Sequence, residues 1–195
     1  MDMKKRSLII YSLLILLLVS LCGCTSPKEP LAETKEEDTA EVNQTGEGKR
    51  IYFAGPLFNE AEREYNRKIV AILEEHGYEV FLPQRDGFLA AELEGLSEEE
   101  KIAKIFQKDY EEVCKADIIF MNLDGRVPDE GACVELGMAY AHGKRCYGFK
   151  NDARSVELDM DLNPLISGCF QKIFYDINAE KLIESLETYL KESSL

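Results

Sequence analysis

Two acids separated by small residues are the part of the chain best suited to chemistry. Asp129 and Glu135 stand six residues apart in segment 129–143, where most other side chains are small or apolar. A carboxylate in apolar surroundings is costly unless it is paired or used. Gly131, between the acids, leaves room for a ligand or a neighbouring strand. Glu135 is therefore the candidate nucleophile, the alternative being a buried carboxylate satisfied by its partners.

Three other features have both a plain and a functional interpretation. Asp129 can simply start a helix, whose dipole favours acids in its first turn. Asp109 stands at a spacing typical of a solvated helix face. Gly55 precedes Pro56 and predicts a sharp turn, but a glycine there also lets the backbone approach a ligand closely. The stretch around Gly55 lacks the glycines and the lysine of a phosphate loop.

An alternation of strands and helices positions these residues. Helices are predicted to follow the first four strands and to close the chain, which indicates a parallel sheet with helices on both faces. Ligands bind outside the carboxyl ends of such strands, where Gly55 and segment 124–129 would lie. The strands are predicted over five segments: 50–54, 78–82, 116–123, 145–149 and 172–175. The helix after Ser97 is predicted to carry one apolar face: Ile102, Ile105, Phe106, Tyr110 and Val113.

The first 49 residues are predicted to lie outside this domain. Residues 1–24 combine a basic start with an apolar run that is short for a membrane span, as in a secretory signal. Small residues before Cys24 resemble a bacterial lipobox, which implies cleavage and a lipid on the cysteine. The alternative is an uncleaved anchor helix. Either way the domain, residues 50–195, would be held on the extracytoplasmic face of a bacterial cell membrane. Residues 25–49 are predicted to be a disordered acidic tether.

The composition argues against several classes of ligand. A net charge of −14 without a basic stripe argues against binding to nucleic-acid polymers. With only two histidines, and with cysteine spacings that match no zinc pattern, neither a metal nor another cofactor is expected. Free, buried thiols are expected at the four cysteines of the domain: Cys114, Cys133, Cys146 and Cys169.

The chain resembles the nucleoside 2-deoxyribosyltransferase family. The resemblance rests on six segments found in order across residues 50–175: IYFAGPLF, FLPQRDG, the acid of FQKDY, ADIIFMNLDG, PDEGACVELGMAYAHGK and NPLISG. It implies a flavodoxin-like α/β fold, a three-layer sandwich with a five-stranded parallel sheet. It also implies transfer of 2-deoxyribose between nucleobases. The partners would be a 2'-deoxynucleoside, a free nucleobase and further copies of the chain, in a homo-oligomer that shares its active sites.

The resemblance also assigns a role to individual residues. Glu135 falls on the nucleophile and Tyr52 on the tyrosine that positions it. Asp129 falls on the acid that contacts the departing and arriving base, and Asp109 on an acid near the sugar. Asn163 falls on the asparagine that a neighbouring subunit lends to the 5'-hydroxyl. Gly55 and Gly131 complete the expected substrate site. The chain departs mildly from the family at Ala132, where threonine is common, and at Leu165, where methionine is common.

Two alternatives to base exchange stay open. Water could be the acceptor, which would make the protein an N-glycosidase of deoxynucleosides or deoxynucleotides. Related hydrolases that act on monophosphates favour a serine-rich loop, and Gly55-Pro56-Leu57 contains no serine. The protein could instead be a surface lipoprotein that binds nucleosides without catalysis, and Glu135 would then be dispensable.

Overall fold

Five parallel strands form the central sheet, in the order β2-β1-β3-β4-β5. They are β1 (Arg50–Ala54), β2 (Glu79–Phe81), β3 (Ile118–Asn122), β4 (Arg145–Lys150) and β5 (Lys172–Tyr175). The strand order reverses between β1 and β3, and ligands of doubly wound folds bind in the crevice at that point. The sheet and its helices confirm the predicted flavodoxin-like fold.

The structure, a computed structural model, describes residue 46, residues 48–154 and residues 160–195. The predicted signal segment with Cys24, and nearly all of the predicted tether, lie outside the described residues. Within the described part of the chain, no helix is long and apolar enough to cross a membrane.

Helices cover both faces of the sheet. Helices α1 (Glu60–Glu75) and α6 (Ala179–Glu192) pack on one face, while α3 (Glu98–Lys115) and α4 (Glu130–Ala141) pack on the other. Three short elements lie in the connections: α2 (Pro83–Asp86), a 3-10 turn (Ala90–Leu93) and α5 (Pro164–Ser167). This arrangement is the three-layer sandwich.

Alternation along β1 divides its side chains between the two cores. Ile51 and Phe53 point towards α1 and α6, whereas Tyr52 and Ala54 point towards α3 and α4. All four are buried, and full burial of a side chain as large as Phe53 is worth about 1.5–3 kcal/mol. The two-residue period of a strand therefore directs Tyr52 to the face that carries α4.

The predicted apolar face of α3 is present, but most of it is not in the core. Only Val113 of that set is buried, while the residues nearer the start of the helix, such as Ile102 and Phe106, are exposed. Glu112 is the other buried residue of α3, and its carboxylate pairs with Arg50 at 2.6 Å. The apolar face instead lines a groove between α3 and α4.

Buried amides join three loops at the carboxyl ends of the strands. The Asn66 Nδ2 donates to the Pro56 carbonyl at 2.8 Å and to Gln84 Oε1 at 3.1 Å. Asn122 Nδ2 in turn donates to Asn66 Oδ1 at 2.9 Å. Asn66 and Asn122 are both buried, where a hydrogen-bonded amide is strongly preferred to an unpaired one. The network fixes the loop that follows β1 against β3 and α2.

Candidate active site

Tyr52 and Glu135 form the centre of the site. The Tyr52 hydroxyl donates a hydrogen bond to Glu135 Oε1 at 2.6 Å. Tyr52 is fully buried in β1, and its ring stacks on Phe81 with centroids 5.5 Å apart. Glu135 reaches it from α4, which lies over this face of the sheet. The structure thus brings together two residues that are 83 positions apart in the sequence.

The surroundings of Glu135 disfavour its charge. Burial raises its pKa from 4.5 to about 7, and the negative charges of Asp109 and Asp129 add to the rise. The hydrogen bond from Tyr52 acts in the opposite direction. Burial, and then the neighbouring Glu135 charge, raise the pKa of Tyr52 far above its usual range. Tyr52 is therefore a fixed proton donor, and Glu135 changes charge near neutral pH.

A cavity of about 370 Å³ opens over Glu135 between α3 and α4. It is mostly apolar, with two carboxylates at the centre of the groove and no Lys or Arg in the lining. Its lining consists of Ile102, Ile105, Phe106, Asp109, Tyr110, Gly131, Val134, Glu135 and Met138. An apolar cleft with a few polar groups is typical of a small-molecule site.

Asp109 faces this cavity from α3. Burial raises the pKa of Asp109, while the nearby Lys108 lowers it and Glu112 raises it further. A solvated helix face would not produce this burial. The structure therefore places Asp109 in the same cleft as Glu135.

Asp129 is the N-cap of α4. Its Oδ1 accepts a hydrogen bond from the Ala132 amide at 2.8 Å. One carboxylate oxygen therefore caps the helix, as the plain interpretation of Asp129 predicts. A side chain added at Gly131 would come within 3.2 Å of that oxygen. Gly131 and Glu135 line the cavity, whereas Asp129 is not among the lining residues. The charge of Asp129 is nevertheless close enough to raise the pKa of Glu135.

Gly55 lies where β1 meets the end of β3. Its φ of +154° suits glycine, and an added Cβ would lie 2.6 Å from the Asn122 Cβ. The close approach that requires a glycine here is to Asn122 of β3, and the predicted approach to a ligand stays a prediction. Gly55 is three residues beyond Tyr52, and it is not among the residues that line the cavity over Glu135.

Asn163 does not line the cavity over Glu135 of its own chain. Its Oδ1 accepts from the Leu165 amide at 2.9 Å and caps α5. Its neighbours Leu162 and Pro164 line a separate cavity of about 630 Å³, together with residues of β4 and β5. The structure therefore does not place Asn163 in the lining of the cavity that contains Glu135 and Asp109.

The cysteines and acids of the described residues do not gather into a metal site. No group of three or more His, Cys, Asp or Glu side chains in that part of the chain is placed to hold a metal ion. The four cysteines of the domain are free thiols. Only Cys146 is fully buried, so the expectation of burial was wrong for Cys114, Cys133 and Cys169, which are partly exposed.

The aromatic side of the cleft was not predicted as part of the site. The rings of Phe106 and Tyr110 lie nearly parallel, with centroids 6.2 Å apart. They are four residues apart on α3 and flank Asp109, so an acid within an apolar helical stripe was the available signal. The sequence predicts that stripe only as the apolar face of a helix.

Comparison with known proteins agrees with this geometry. A family model described as nucleoside 2-deoxyribosyltransferase matches residues 51–183. No curated protein matches the sequence significantly. Among solved structures, the 2-deoxyribosyltransferase of Bacillus psychrosaccharolyticus is 28% identical, with a TM-score of 0.54 over 68% of this chain and 95% of that one.

Two further structures are similar. A conserved protein of Enterococcus faecalis V583 is 25% identical, with a TM-score of 0.58 over 74% of this chain and 98% of that one. The CMP N-glycosidase BcmB of Clostridium botulinum shares the fold at 20% identity, with a TM-score of 0.51 over 72% of this chain and 99% of that one. The family match spans well over half of the sequence and contains the Tyr52–Glu135 pair. The chain belongs to the nucleoside 2-deoxyribosyltransferase family.

Proposed function

We propose that the protein exchanges the base of 2'-deoxyribonucleosides through a covalent deoxyribosyl–Glu135 intermediate. The observation that carries the proposal is the 2.6 Å hydrogen bond from Tyr52 to Glu135, at the floor of a cleft that also contains Asp109. The chain's family supports a role on nucleosides, and the cleft supports a carboxylate nucleophile. A phenol that cannot ionise at neutral pH holds one carboxylate oxygen and leaves the other for the sugar.

The first step is a displacement at the anomeric carbon of the sugar. Glu135 forms a bond to that carbon while the bond to the base nitrogen breaks, and the electron pair leaves with the base. Asp129, in its protonated form, donates the proton that the departing base requires, and is left as a carboxylate. Proton transfer of this kind contributes about 10²–10⁴-fold to rate. The sugar, which lacks a 2'-hydroxyl, forms its cationic transition state readily.

The second step reverses the first with a different base. A nitrogen of the incoming base attacks the anomeric carbon, Glu135 departs with its electron pair, and Asp129 takes up the proton of the base. Two displacements retain the configuration of the sugar, as in retaining glycosidases. The apolar lining of the cleft favours a base over water as acceptor, since it disfavours ordered water next to the intermediate.

An exchange assay tests this proposal. The protein is incubated with a deoxynucleoside and a second free base, over purine and pyrimidine pairs, and the products are separated. We expect a new deoxynucleoside that forms only when the second base is present. Absence of any new deoxynucleoside across all pairs would refute base exchange.

Hydrolysis is the second candidate, and the openness of the cleft favours it. Ile102 and Phe106 at its edge are more than half exposed, so water has a path to the intermediate. A similar fold also belongs to a protein described as a CMP N-glycosidase. In the same assay, release of free base at the same rate with and without an acceptor base would indicate hydrolysis.

A single substitution distinguishes an enzyme from a protein that binds nucleosides without catalysis. A nucleoside-binding protein needs the cleft but not the nucleophile, so Glu135→Ala would leave its function intact. Loss of turnover with nucleoside binding retained would exclude that role.

The assembly and the location of the protein complete the proposal. We expect a homo-oligomer in which Asn163 of one copy completes the cleft of another, because Asn163 is not among the residues that line the cavity over Glu135 in its own chain. We also expect a lipid on Cys24 that anchors the protein to the extracytoplasmic face of a bacterial membrane. Incorporation of a labelled fatty acid that is lost in Cys24→Ala tests the anchor.

A further inference from the structure

A buried carboxylate that the proposed reaction does not use lies on α3. Glu112 is 3% exposed, and three cations contact it. Arg50 of β1 lies at 2.6 Å, Lys115 at 3.0 Å and Lys108 at 3.1 Å. Burial acts to raise the pKa of Glu112, but its hydrogen bonds with Lys115 and Lys108 hold that pKa below its usual range. Because a buried charge has to be paired, Glu112 fixes the cations around it.

Lys108 also contacts an aromatic ring beside the catalytic pair. Its Nζ lies 5.2 Å from the centroid of the Phe81 ring, within the range of a cation–π contact. The same ring stacks on Tyr52, with centroids 5.5 Å apart and an angle of 21° between the planes. Contacts therefore connect Glu112, through Lys108 and one ring, to Tyr52. The Tyr52 hydroxyl is the donor to Glu135.

The position of the Tyr52 ring decides the strength of its hydrogen bond to Glu135. That bond is 2.6 Å long, and hydrogen bonds weaken as their length and angle depart from the optimum. Phe81, which stacks on the Tyr52 ring, belongs to β2, a three-residue strand at the edge of the sheet. A contact from α3 to Phe81 therefore gives support that this short strand, with its single neighbour, does not provide.

We propose that Lys108, fixed by Glu112, is a positioning residue that acts through Tyr52. It supports the Phe81 ring, and the stacked rings keep the Tyr52 hydroxyl on the nucleophile. The inference rests on the proposed function and adds a residue that does not touch the substrate, since Lys108 is not among the residues that line the cavity over Glu135.

The pKa of Glu135 reports the position of Tyr52. Three groups face Glu135: Tyr52 from β1, Asp109 from α3 and Asp129 at the start of α4. Burial raises this pKa, the hydrogen bond from Tyr52 lowers it, and the two acids raise it further. A weaker bond from Tyr52 therefore moves the pKa of Glu135 upwards. An effect of Lys108 through Asp109 would have the opposite sign, because loss of the cation favours a neutral Asp109, which no longer raises the pKa of Glu135.

Titration of the Glu135 carboxyl by NMR, in protein that carries labelled glutamate and no substrate, tests the inference. Glu135→Gln identifies the signal. Lys108→Gln is the test variant, and the Glu112 carboxylate keeps its two other cations in it. We expect the pKa of Glu135 to rise by roughly half a pH unit or more in Lys108→Gln. Lys108→Arg should restore the wild-type value, because arginine pairs with carboxylates and stacks on aromatic rings.

Two controls separate positioning from charge. Lys115 donates to the same Oε1 of Glu112 as Lys108, and among the described residues it has no cation–π contact with a ring, so Lys115→Gln should leave the pKa of Glu135 near the wild-type value. In a Tyr52→Phe background, Lys108→Gln should add nothing, because the bond that it supports is already gone. Phe81→Leu removes the stacked ring and should raise the pKa as Lys108→Gln does, which keeps the test open if Lys108→Gln fails to fold.

Three results would overturn the inference. They are a pKa of Glu135 that is unchanged or lower in Lys108→Gln, an equal rise in Lys115→Gln, and the same rise in the Tyr52→Phe background. The titrations need no turnover, so they are independent of the proposed function. Absence of base exchange together with the expected changes in pKa would count against the proposed function alone.

Discussion

Glu135 is poised between charged and neutral forms at the pH where it must act. A nucleophilic carboxylate has to be ionised, yet burial and the charges of Asp109 and Asp129 raise its pKa to about 7. The same surroundings make the ionised form poorly solvated and so more reactive towards a developing sugar cation. The hydrogen bond from Tyr52 limits the rise in pKa and keeps a useful fraction of Glu135 ionised.

The pH dependence of kcat/KM reports this balance. Because the free enzyme needs an ionised Glu135, we expect kcat/KM to fall tenfold per pH unit below about 7. Tyr52→Phe removes the contact that lowers the pKa of Glu135, so the fall should begin at a higher pH. Asp109→Asn removes a charge that raises that pKa, so the fall should begin at a lower pH. An acid limb that stays in place in both variants would contradict these assignments.

The pH dependence of thermal stability tests the raised pKa of Glu135 without any substrate. A folded-state pKa of about 7, above the usual 4.5, means that the charge of Glu135 opposes folding above pH 7. This penalty is on the order of 3 kcal/mol and disappears as pH falls towards the unfolded value. Glu135→Gln should therefore raise Tm at pH 8 and lose most of this advantage at pH 5. A lower Tm for the variant at pH 8, by calorimetry, would refute a costly buried charge.

At the scale of elements, the end of β1 controls the geometry of the cleft. Tyr52 points from β1 to α4, and the chain turns at Gly55 three residues later. The turn is held against Asn122 of β3, whose amide reaches Asn66 of α1 at 2.9 Å. Tyr52 and the loop after β1 are thus held by the same strand and by one network of buried amides.

Gly55→Ala tests that support. An added Cβ would lie 2.6 Å from the Asn122 Cβ, at a φ that side chains rarely adopt, so we expect a loss of about 1–3 kcal/mol in unfolding free energy. Gly137→Ala is the control, because an added Cβ there meets nothing within 4 Å in the middle of α4. That change should be neutral or stabilise by up to about 1 kcal/mol. Equal effects of the two substitutions in denaturant unfolding would contradict the close approach at Gly55.

The periodicity of strands and helices predicts most of the fold from the sequence. The features that it does not predict depend on tertiary contacts. The start of α4 at Asp129 was readable because a cap uses local hydrogen bonds. The contact of Asn66 with Asn122 was not, since 56 residues separate them and either amide alone reads as a surface residue. The sequence predicts the apolar stripe of α3. That its side chains line a cleft rather than the core depends on how α3 and α4 pack.

At the scale of the whole molecule, the residues expected in the site do not all line one cavity. The cleft over Glu135 is open, and the apolar edge formed by Ile102 and Phe106 is exposed. Asn163, which the family resemblance assigns to the sugar, caps α5 beside a different cavity. The order of these residues in the sequence indicates the family. A site shared between copies, as we propose, would depend on a symmetry that no single chain contains.

Mixing two inactive variants tests for shared sites. Glu135→Gln removes the nucleophile and Asn163→Ala removes the residue expected from the neighbour. If one copy completes the site of another, co-expression of the two variants should restore a substantial part of the exchange activity, because a mixed oligomer contains some intact sites. Activity no greater than the sum of the separate variants would place Asn163 outside the shared site.

Capture of the covalent intermediate tests the central claim most directly. The protein is incubated with a deoxynucleoside in the absence of acceptor base, quenched with acid, digested and examined by mass spectrometry. We expect a mass gain of one deoxyribosyl group on the peptide that contains Glu135, and none in Glu135→Gln, whose exchange activity should fall by at least about 10³-fold. An adduct on another residue, or full activity in Glu135→Gln, would contradict the account.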